Sequence, residues 1–216
     1  TAKEIQQYPW KEGSLQLFQT PMERALFVDC TTENTTAQLQ EALEHNFHII
    51  LANKVPLTGS QKSFDQLLET ARRKRLKIRY EATVGAGLPV IDTIYKLVDS
   101  GDQIHSIVGC LSGSLGFIFS AIESGTSFSK AVKAASDRGF TEPDPRTDLS
   151  GMDVARKALI LSRTLGHQLE LEDIELEAAC PNTEENPKEQ NLFKALQKHD
   201  KTFAEKFAQA RKEGKT

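Results

Sequence analysis

The chain has 216 residues, of which 38% are hydrophobic, and its formal net charge is −3. A chain of this length can bury a core as one large domain or as two small ones. Acidic and basic residues are interspersed, which excludes the basic stripe that binds a nucleic-acid backbone. No apolar run approaches the roughly 20 residues that span a bilayer, and the first residues lack the apolar region of a signal peptide.

The number and spacing of the cysteines also favour an intracellular globular protein. The three cysteines, Cys30, Cys110 and Cys180, are widely spaced and odd in number. This spacing favours a reducing compartment over a disulfide framework and argues against a zinc site. We therefore expect a cytoplasmic globular protein with no nucleic-acid or membrane partner.

The region from Ala25 to Val84 alternates short apolar runs with amphipathic segments. Strands are predicted for ALFVDCT, FHIILAN and KIRYEATV, and helices for TTAQLQEALEHN, with Leu39, Ala42 and Leu43 on one face, and for SFDQLLETARRKRL. This alternation predicts right-handed crossovers and a parallel sheet, as in an open α/β domain. The phosphate-binding pattern G-x-G-x-x-G is absent. If the sheet binds a nucleotide, its first strand and glycine turn are missing.

After Gly87 the predicted elements are mostly helices. They are PVIDTIYKLVDS, SGSLGFIFSAIESG, SFSKAVKAASDRG, a helix capped by Ser150, and a charged helix after the polar linker PNTEENPKEQN. QIHSIVGCL reads as a strand, and LELEDIELEAAC has room for a short one. The chain is expected to be cut at both ends.

Two polar residues follow predicted strands of the sheet. Thr31 comes just after ALFVDC and Lys54 just after FHIILAN. Ligands of open α/β sheets bind beyond the carboxyl ends of the strands. Lys54 is therefore either a solvated loop cation or a cation that faces a cofactor phosphate or ribose, or polarises a carbonyl oxygen.

The stretch RYEATVGAGLP allows a cation site. Strand alternation would place Ile78, Tyr80, Ala82 and Val84 on one face and leave Glu81 on the other, beside Arg79. The glycines that follow let several backbone carbonyls converge, and carbonyls with one carboxylate suit a hard cation. The alternative is that Glu81 is an exposed strand residue paired with Arg79. A similar choice holds for LSGSLGF, whose serines either bind an anion or cap a helix.

The stretch GFTEPDPRTDLSGMDVARK is the strongest candidate for a site. Asp153 lies three residues after Ser150, as in a capping box, and four before Lys157, as in a helical ion pair. Lys157 precedes the apolar run ALIL, so we expect it to be partly desolvated and suited to act as a general acid. Glu142 lies in a loop stiffened by prolines. Two rigid carboxylates near such a lysine would bind an ammonium group.

These motifs together resemble homoserine dehydrogenase, especially the dehydrogenase part of fused aspartokinase–homoserine dehydrogenases. The matching stretches run in order from Ala25 to Gly166: ILANK, YEATVGAGLPVIDT, IVGCLSGSLGFIFS and GFTEPDPRTDLSGMDVARKALIL. The resemblance implies an NADPH- or NADH-dependent interconversion of aspartate 4-semialdehyde and homoserine. It also implies a partial Rossmann-like, dinucleotide-binding domain over residues 1–84, then an α+β catalytic and dimerisation domain over residues 85–216.

The resemblance also assigns roles to residues. Lys157 matches the catalytic lysine, and Lys54 a second lysine near cofactor and substrate. The substrate would be held by Glu142, Asp148 and Asp153, and the cofactor contacted by Thr31, Lys54, Gly139 and Glu142. A sodium or potassium ion would be bound by Glu81 with the carbonyls of Val84, Ala86 and Leu88.

Two departures from the family keep a rival interpretation open. The sequence lacks the glycine-rich turn that cradles the cofactor pyrophosphate, and it stops before the segment that completes the catalytic sheet. The rival is a non-catalytic interaction piece whose helices and sheet serve dimer assembly, with activity requiring segments encoded elsewhere. The resemblance itself implies a homo-oligomer. The choice between NAD and NADP, a fused aspartokinase and inhibition by threonine are left undecided.

Overall fold

The computed structural model describes residues 25–179 and 192–214. The described residues fall into two compact units, one ending at Asp92 and the other beginning at Thr93. The expected boundary between residues 84 and 85 thus lies slightly before the observed division. The N-terminal stretch that contains Gly13, and the predicted linker PNTEENPKEQN with Cys180, lie outside the described residues.

The first unit is a small α/β layer. Its elements are β1 (Ala25–Asp29), α1 (Thr36–Glu44), β2 (Phe47–Leu51), α2 (Gln61–Arg73), β3 (Ile78–Arg79) and the start of α3 (Val90–Asp99). The three strands are parallel in the order β1-β2-β3, with Ala25 opposite Phe47 and Ile49 opposite Ile78. This confirms the predicted parallel sheet and places the ends of β1 and β2 at the same edge.

The core of the first unit comes from the predicted helix face and the strands. Leu39, Ala42 and Leu43 of α1 are fully buried, as are Ile49 and Leu51 of β2. The predicted amphipathic face of α1 is therefore confirmed. Helix α2 begins after Ser60, whose hydroxyl accepts a hydrogen bond from the backbone N–H of Ser63, which satisfies one of the unpaired amides of the first turn.

The third predicted strand is largely wrong. Strand β3 has two residues, and a 3₁₀ turn over Glu81–Thr83 follows it. Thr83 donates both its backbone N–H and its hydroxyl to the carbonyl of Tyr80. This turn ends the alternation of faces, so Thr83 is buried while Ala82 is exposed, the reverse of the strand prediction.

The second unit consists of helices and irregular segments over its described residues. After the end of α3 it contains α4 (Gly113–Glu123), α5 (Phe128–Asp137), α6 (Pro145–Leu149), α7 (Met152–Thr164), α8 (Leu192–Leu196) and α9 (Asp200–Lys212). Its core contains buried side chains of α4, α5, α6 and α8, including Ile118, Phe128, Val132, Leu149 and Leu196. Phe203 of α9 stacks on Phe128, with ring centroids 4.0 Å apart.

The two strands predicted in this unit are not found. Residues 103–112 form neither helix nor strand, and the LELEDIELEAAC stretch contains a 3₁₀ turn over Leu171–Asp173 instead. A strand needs a partner for its backbone hydrogen bonds, and the described part of this unit offers none. Val108 is accordingly 94% exposed.

Two polar contacts that the sequence did not suggest stabilise the helical unit. The carboxylate of Asp200 accepts hydrogen bonds from the backbone N–H and hydroxyl of Ser129, at 2.7 and 2.8 Å. It thus caps α5 in place of the predicted serine at the helix start. The buried Arg163 donates from Nε and Nη2 to the carbonyl of Leu169. Among the described helices, none is long and apolar enough to cross a membrane.

Candidate functional site

Lys157 is held in a partly buried position on α7. Its ammonium nitrogen lies 2.7 Å from Oδ2 of Asp153 and donates to the carbonyl oxygen of Leu111, also at 2.7 Å. The Lys157 side chain is 16% exposed, whereas that of Asp153 is 46% exposed. The predicted ion pair and the predicted partial burial are both present.

The two contacts leave the lysine with donor capacity. An ammonium group has three N–H bonds, and two are directed at Asp153 and Leu111. The third has no acceptor among the described residues. A group that is fixed by two partners and keeps one free proton can hydrogen bond to a substrate oxygen and then transfer that proton.

The start of α7 differs from the predicted capping box. The N-cap residue is Gly151, in the left-handed region at φ +73°, and Ser150 is instead the last residue of the α6 turn. The Ser150 hydroxyl donates to the carbonyl of Thr147 and accepts from the backbone N–H of Met152 at 3.3 Å, so Ser150 contacts the first turn of α7 without forming the capping box. The sharp turn between two consecutive helices requires the positive φ, which a glycine adopts without strain. Asp153 is therefore left to pair with Lys157.

Asp148 connects the acidic loop to the start of α4. Its Oδ1 accepts a hydrogen bond from the hydroxyl of Ser114 at 2.7 Å, and its Oδ2 accepts one from the backbone N–H of Glu142 at 2.9 Å. The Ser114 hydroxyl also lies 2.7 Å from the carbonyl oxygen of Phe140. Ser112 caps α4 by accepting from the N–H of Leu115, so the capping alternative for this serine is confirmed.

Local contacts hold the acidic loop at the start of α6. Pro145 is buried at the first position of α6, and Asp144 caps that helix by accepting from the N–H of Arg146. Burial raises the pKa of Asp144, but hydrogen bonds from the Arg146 side chain and backbone outweigh it and lower the pKa. Glu142 is exposed, and its carboxylate makes no hydrogen bond or ion pair with a described residue. It is thus available to a ligand.

Gly139 ends α5 by a left-handed turn. It has φ +69°, and the backbone N–H groups of Gly139 and Phe140 donate to the carbonyls of Ser136 and Ala135. This is a glycine C-cap, the structure that the sequence predicted at the end of this helix. A cofactor contact at Gly139 remains a prediction.

At the sheet edge of the first unit, Thr31 is fixed by the buried Asp29. The backbone N–H and the hydroxyl of Thr31 donate to Oδ1 of Asp29, at 2.9 and 2.8 Å. Burial raises the pKa of Asp29, yet hydrogen bonds from Thr35, Thr31 and Asn53 together lower it. The sequence patterns did not indicate Asp29 or Asn53. An aspartate that ends a buried strand two residues before a threonine is nevertheless a recognisable signal for such hydrogen bonds.

Lys54 follows β2 in an equally ordered turn. Its carbonyl oxygen accepts hydrogen bonds from the backbone N–H groups of Leu57 and Thr58, both at 3.1 Å. Lys54 and Thr31 thus follow adjacent parallel strands at one edge of the sheet, where ligands of such sheets bind.

Glu81 has a structural role that replaces the predicted pairing with Arg79. Its two carboxylate oxygens accept hydrogen bonds from the backbone N–H groups of Ile91 and Asp92, both at 2.8 Å, and so cap the start of α3. Between them the chain turns through Gly85 at φ +86° and Ala86 at φ +52°.

The predicted cation ligands are compatible with this turn. The carbonyl of Leu88 accepts from Val90, while the carbonyls of Val84 and Ala86 accept no hydrogen bond from the described residues. Each carboxylate oxygen of Glu81 retains a lone pair. Oxygen donors of this kind fit a hard cation. Within residues 25–179 and 192–214, no group of three or more His, Cys, Asp or Glu side chains is placed to hold a metal.

Comparison with known sequences identifies the family. A profile described as homoserine dehydrogenase matches residues 89–216, and one described as the NAD-binding domain of homoserine dehydrogenase matches residues 5–81. The chain belongs to the homoserine dehydrogenase family. The first unit accordingly corresponds to the family's NAD-binding domain, which confirms the expected nicotinamide-cofactor fold.

Several relatives of the chain are named as bifunctional enzymes that combine an aspartokinase with a homoserine dehydrogenase. It is 44% identical over 192 residues to a bifunctional aspartokinase/homoserine dehydrogenase of Haemophilus influenzae, covering 88% of this chain and 24% of that protein. A Buchnera aphidicola protein of the same name is 40% identical over 188 residues, covering 86% and 23%. The chain thus spans about a quarter of the length of these relatives.

Two solved structures have a similar fold. A Candida auris protein of unknown function superposes with a TM-score of 0.82 and 31% identity, covering 88% of this chain and 55% of that chain. The homoserine dehydrogenase of S. aureus at pH 8.5 gives a TM-score of 0.61 and 25% identity, covering 81% and 41%.

Proposed function

We propose that the chain carries the reacting groups for the NADPH- or NADH-dependent interconversion of L-aspartate 4-semialdehyde and L-homoserine. The observation that carries this proposal is the setting of Lys157. Its ammonium is 2.7 Å from both Asp153 and the carbonyl of Leu111, and its side chain is largely buried. Two fixed contacts and one free N–H suit a residue that gives a proton to an aldehyde oxygen.

The proposed proton transfer uses the free N–H of Lys157. When bound, the nicotinamide cofactor supplies a hydride to the aldehyde carbon. The free N–H of Lys157 hydrogen bonds to the aldehyde oxygen and donates its proton as that oxygen gains negative charge. The product is the primary alcohol, homoserine. In the reverse direction the lysine amine accepts the proton of the hydroxyl group, while Asp153 keeps the nitrogen in place.

Carboxylates of the second unit would recognise the substrate's amino group. Glu142 is exposed and uncommitted, and Asp153 is nearly half exposed beside Lys157. Asp148 uses both oxygens within the protein, so its proposed contribution to substrate binding is chiefly to fix the backbone of Glu142. A carboxylate that is held in place binds an ammonium group more strongly than a mobile one.

Cofactor contacts are assigned in each unit separately, and the ion site is assigned to the first unit. We assign cofactor contacts to Thr31 and Lys54 at the sheet edge, and to Gly139 and Glu142 in the acidic loop, with Lys54 as the second catalytic lysine. Glu81 with the carbonyls of Val84, Ala86 and Leu88 would hold sodium or potassium. The ordered turns at these positions support the assignments.

The proposed setting is the threonine and methionine branch of aspartate metabolism in the cytoplasm. The free thiols of Cys30 and Cys110 are compatible with a reducing compartment. Because the matched relatives are named as fusions, we also propose that the segment works together with an aspartokinase domain.

The test is semialdehyde-dependent oxidation of NADPH by the 216-residue chain, with homoserine identified as the product. Succinate semialdehyde, which lacks the amino group, serves as the comparison substrate. We expect aspartate 4-semialdehyde to be preferred by about 100-fold in kcat/KM, or about 2.7 kcal/mol, since hydrogen bonds to charged groups contribute about 1.5–3 kcal/mol. Glu142→Gln should reduce this preference. No oxidation of NADPH, or equal use of both aldehydes, would contradict the proposal.

One observation favours a second function, assembly into a dimer. Ile107 is 43% exposed and Val108 is 94% exposed, in a segment that the sequence predicted as a strand. Two copies could pair such segments and bury these side chains. Sedimentation should then show a dimer that Val108→Glu converts to a monomer, and an unchanged sedimentation coefficient would contradict this assignment.

A further inference from the structure

We propose that Asp29 and Asn53, together called the strand-end clasp, are positioning residues that hold Thr31 and Lys54 at the sheet edge and so set the affinity for the cofactor. The inference rests on the proposed function, because it deepens the assignment of Thr31 and Lys54. It goes further by assigning a role to two buried residues that the proposed function does not use.

Asp29 is the centre of the clasp. It is 2% exposed, and four donors surround its carboxylate. Oδ1 accepts from the N–H and hydroxyl of Thr31, and Oδ2 accepts from the hydroxyl of Thr35 at 2.5 Å and from Nδ2 of Asn53 at 3.0 Å. No lysine or arginine pairs with it among the described residues. A buried charge balanced by neutral donors alone is costly unless every donor is well placed.

Thr35 shows that the clasp takes precedence over local helix stability. It is the N-cap residue of α1, where a threonine hydroxyl usually accepts a hydrogen bond from the first turn. Its hydroxyl makes no such bond and instead donates to Asp29. The network thus diverts a group that would otherwise stabilise α1.

Asn53 links the clasp to the second loop. It is 3% exposed, and its Nδ2 lies 3.0 Å from Oδ2 of Asp29 and 2.8 Å from the carbonyl oxygen of Glu33. Its Oδ1 accepts from the backbone N–H of Val55 at 3.0 Å. Because both ends of the amide are used, the side chain cannot flip without losing contacts.

The clasp therefore fixes the residues on either side of Lys54 as well as Thr31. The backbone N–H groups of Ala52 and Asn53 donate to the carbonyl of Asp29, and Val55 donates to Asn53. Lys54 is thus enclosed by anchored neighbours. Loops anchored in this way lose less entropy when they bind a ligand.

Asparagine cannot substitute for Asp29. If its amide nitrogen occupied the Oδ1 position, it would face the N–H of Thr31. At the Oδ2 position, it would face the N–H₂ of Asn53, whose own oxygen is committed to Val55. Either orientation leaves two donors in contact, although the volume of the side chain is unchanged.

The experiment compares Asp29→Asn with Asp65→Asn, the same chemical change at an exposed position of α2. Hydrogen–deuterium exchange is followed in peptides covering residues 26–35, 50–58 and 61–73, and NADPH affinity is measured by fluorescence titration. We expect Asp29→Asn to speed exchange in the first two peptides only and to raise the Kd for NADPH about tenfold. Asp65→Asn should change neither.

The outcomes separate this inference from the proposed function. If the unaltered chain binds no NADPH, the proposed function fails, and the local exchange still decides whether the clasp positions the loops. If exchange in Asp29→Asn is unchanged, or rises equally in the α2 peptide, the clasp is overturned as a positioning device even when NADPH binds. Thr35→Val removes one donor and should fold readily. It should speed exchange in the same two peptides, but by less than Asp29→Asn does. It should also raise the Kd for NADPH.

Discussion

The carboxylate that ends β1 and the lysine of α7 are both largely buried ionisable groups, but their hydrogen bonding differs. Asp29 accepts from four neutral donors of its own unit. Lys157 has one charged partner, one carbonyl partner and one N–H with no acceptor among the described residues. The first group is saturated and the second is not.

This difference separates positioning from chemistry. A saturated buried group can only hold its neighbours in place, because any change of its protonation state opposes several hydrogen bonds at once. An unsaturated group that is still fixed by two contacts keeps the capacity to bind and protonate a ligand. The comparison predicts that changes at Lys157 affect turnover, whereas changes at Asp29 affect stability, loop order and cofactor affinity.

The largest expected effect is on turnover in Lys157→Met. Removal of the proton donor should lower kcat by about 1,000-fold, while the Kd for NADPH stays within about twofold. The matched control is Lys133→Met on α5, where Lys133 forms an ion pair with Asp137 at the same spacing and the same 2.7 Å. Steady-state kinetics should show no loss in the control. Appreciable turnover in Lys157→Met would contradict the proposed role of Lys157 as proton donor and show that its role is structural.

The next effect concerns the turn that orients α7. Gly151→Ala should destabilise the fold by about 2 kcal/mol, since alanine is strained at φ +73° and its Cβ would lie 2.9 Å from Cδ1 of Leu176. Gly166→Ala is the control, because its φ is +90° and nothing lies within 4 Å of the added Cβ. It should cost about 1 kcal/mol. Equal losses in urea unfolding would show that Leu176 moves aside.

A smaller effect on the free energy of unfolding is expected as the pH falls. The pKa of Asp29 is lowered in the folded state, so the stability it contributes is present above its ordinary pKa of about 3.9. That stability is lost as the pH falls through the lower folded value, because the unfolded chain binds the proton more readily. The difference in free energy of unfolding between the unaltered chain and Asp29→Asn should therefore narrow below about pH 4. A constant difference down to pH 2.5 would show that Asp29 does not titrate in this range.

The sequence predicted the parts of the fold that local patterns determine. The face of α1 and the strands β1 and β2 follow from apolar periodicity, and the pairing of Asp153 with Lys157 follows from helical spacing. Where tertiary contacts decide, prediction failed. Thr83 is buried because a 3₁₀ turn interrupts the strand, and α5 is capped by Asp200, which lies 71 residues from Ser129. A pattern of neighbouring residues cannot predict a contact between residues so far apart in the sequence.

The residues of the candidate site also differ in whether local sequence indicates them. Lys157 was found because an apolar run follows it and acidic residues precede it. Asp29 was missed because it lies within a strand that was judged by its apolar residues alone, and because its partner Asn53 is 24 positions away. A buried carboxylate whose donors come from two loops is recognised only when the strands are placed side by side.

The smallest effect tests whether spacing alone explains the Lys157–Asp153 pair. Asp137→Asn removes the carboxylate of the exposed pair on α5, whose two side chains are 56% and 60% exposed. Exposed pairs of this kind contribute about 0.3–0.5 kcal/mol, because water screens the charges and both side chains lose mobility. Urea unfolding in low and high salt should show a loss of this size that salt removes. Asp153→Asn should instead lower kcat/KM and change unfolding little, since its role is to hold a reacting group. If Asp137→Asn and Asp153→Asn both lowered only the free energy of unfolding, the pair on α7 would be an ordinary helical ion pair. Burial of Lys157 would then not contribute to catalysis.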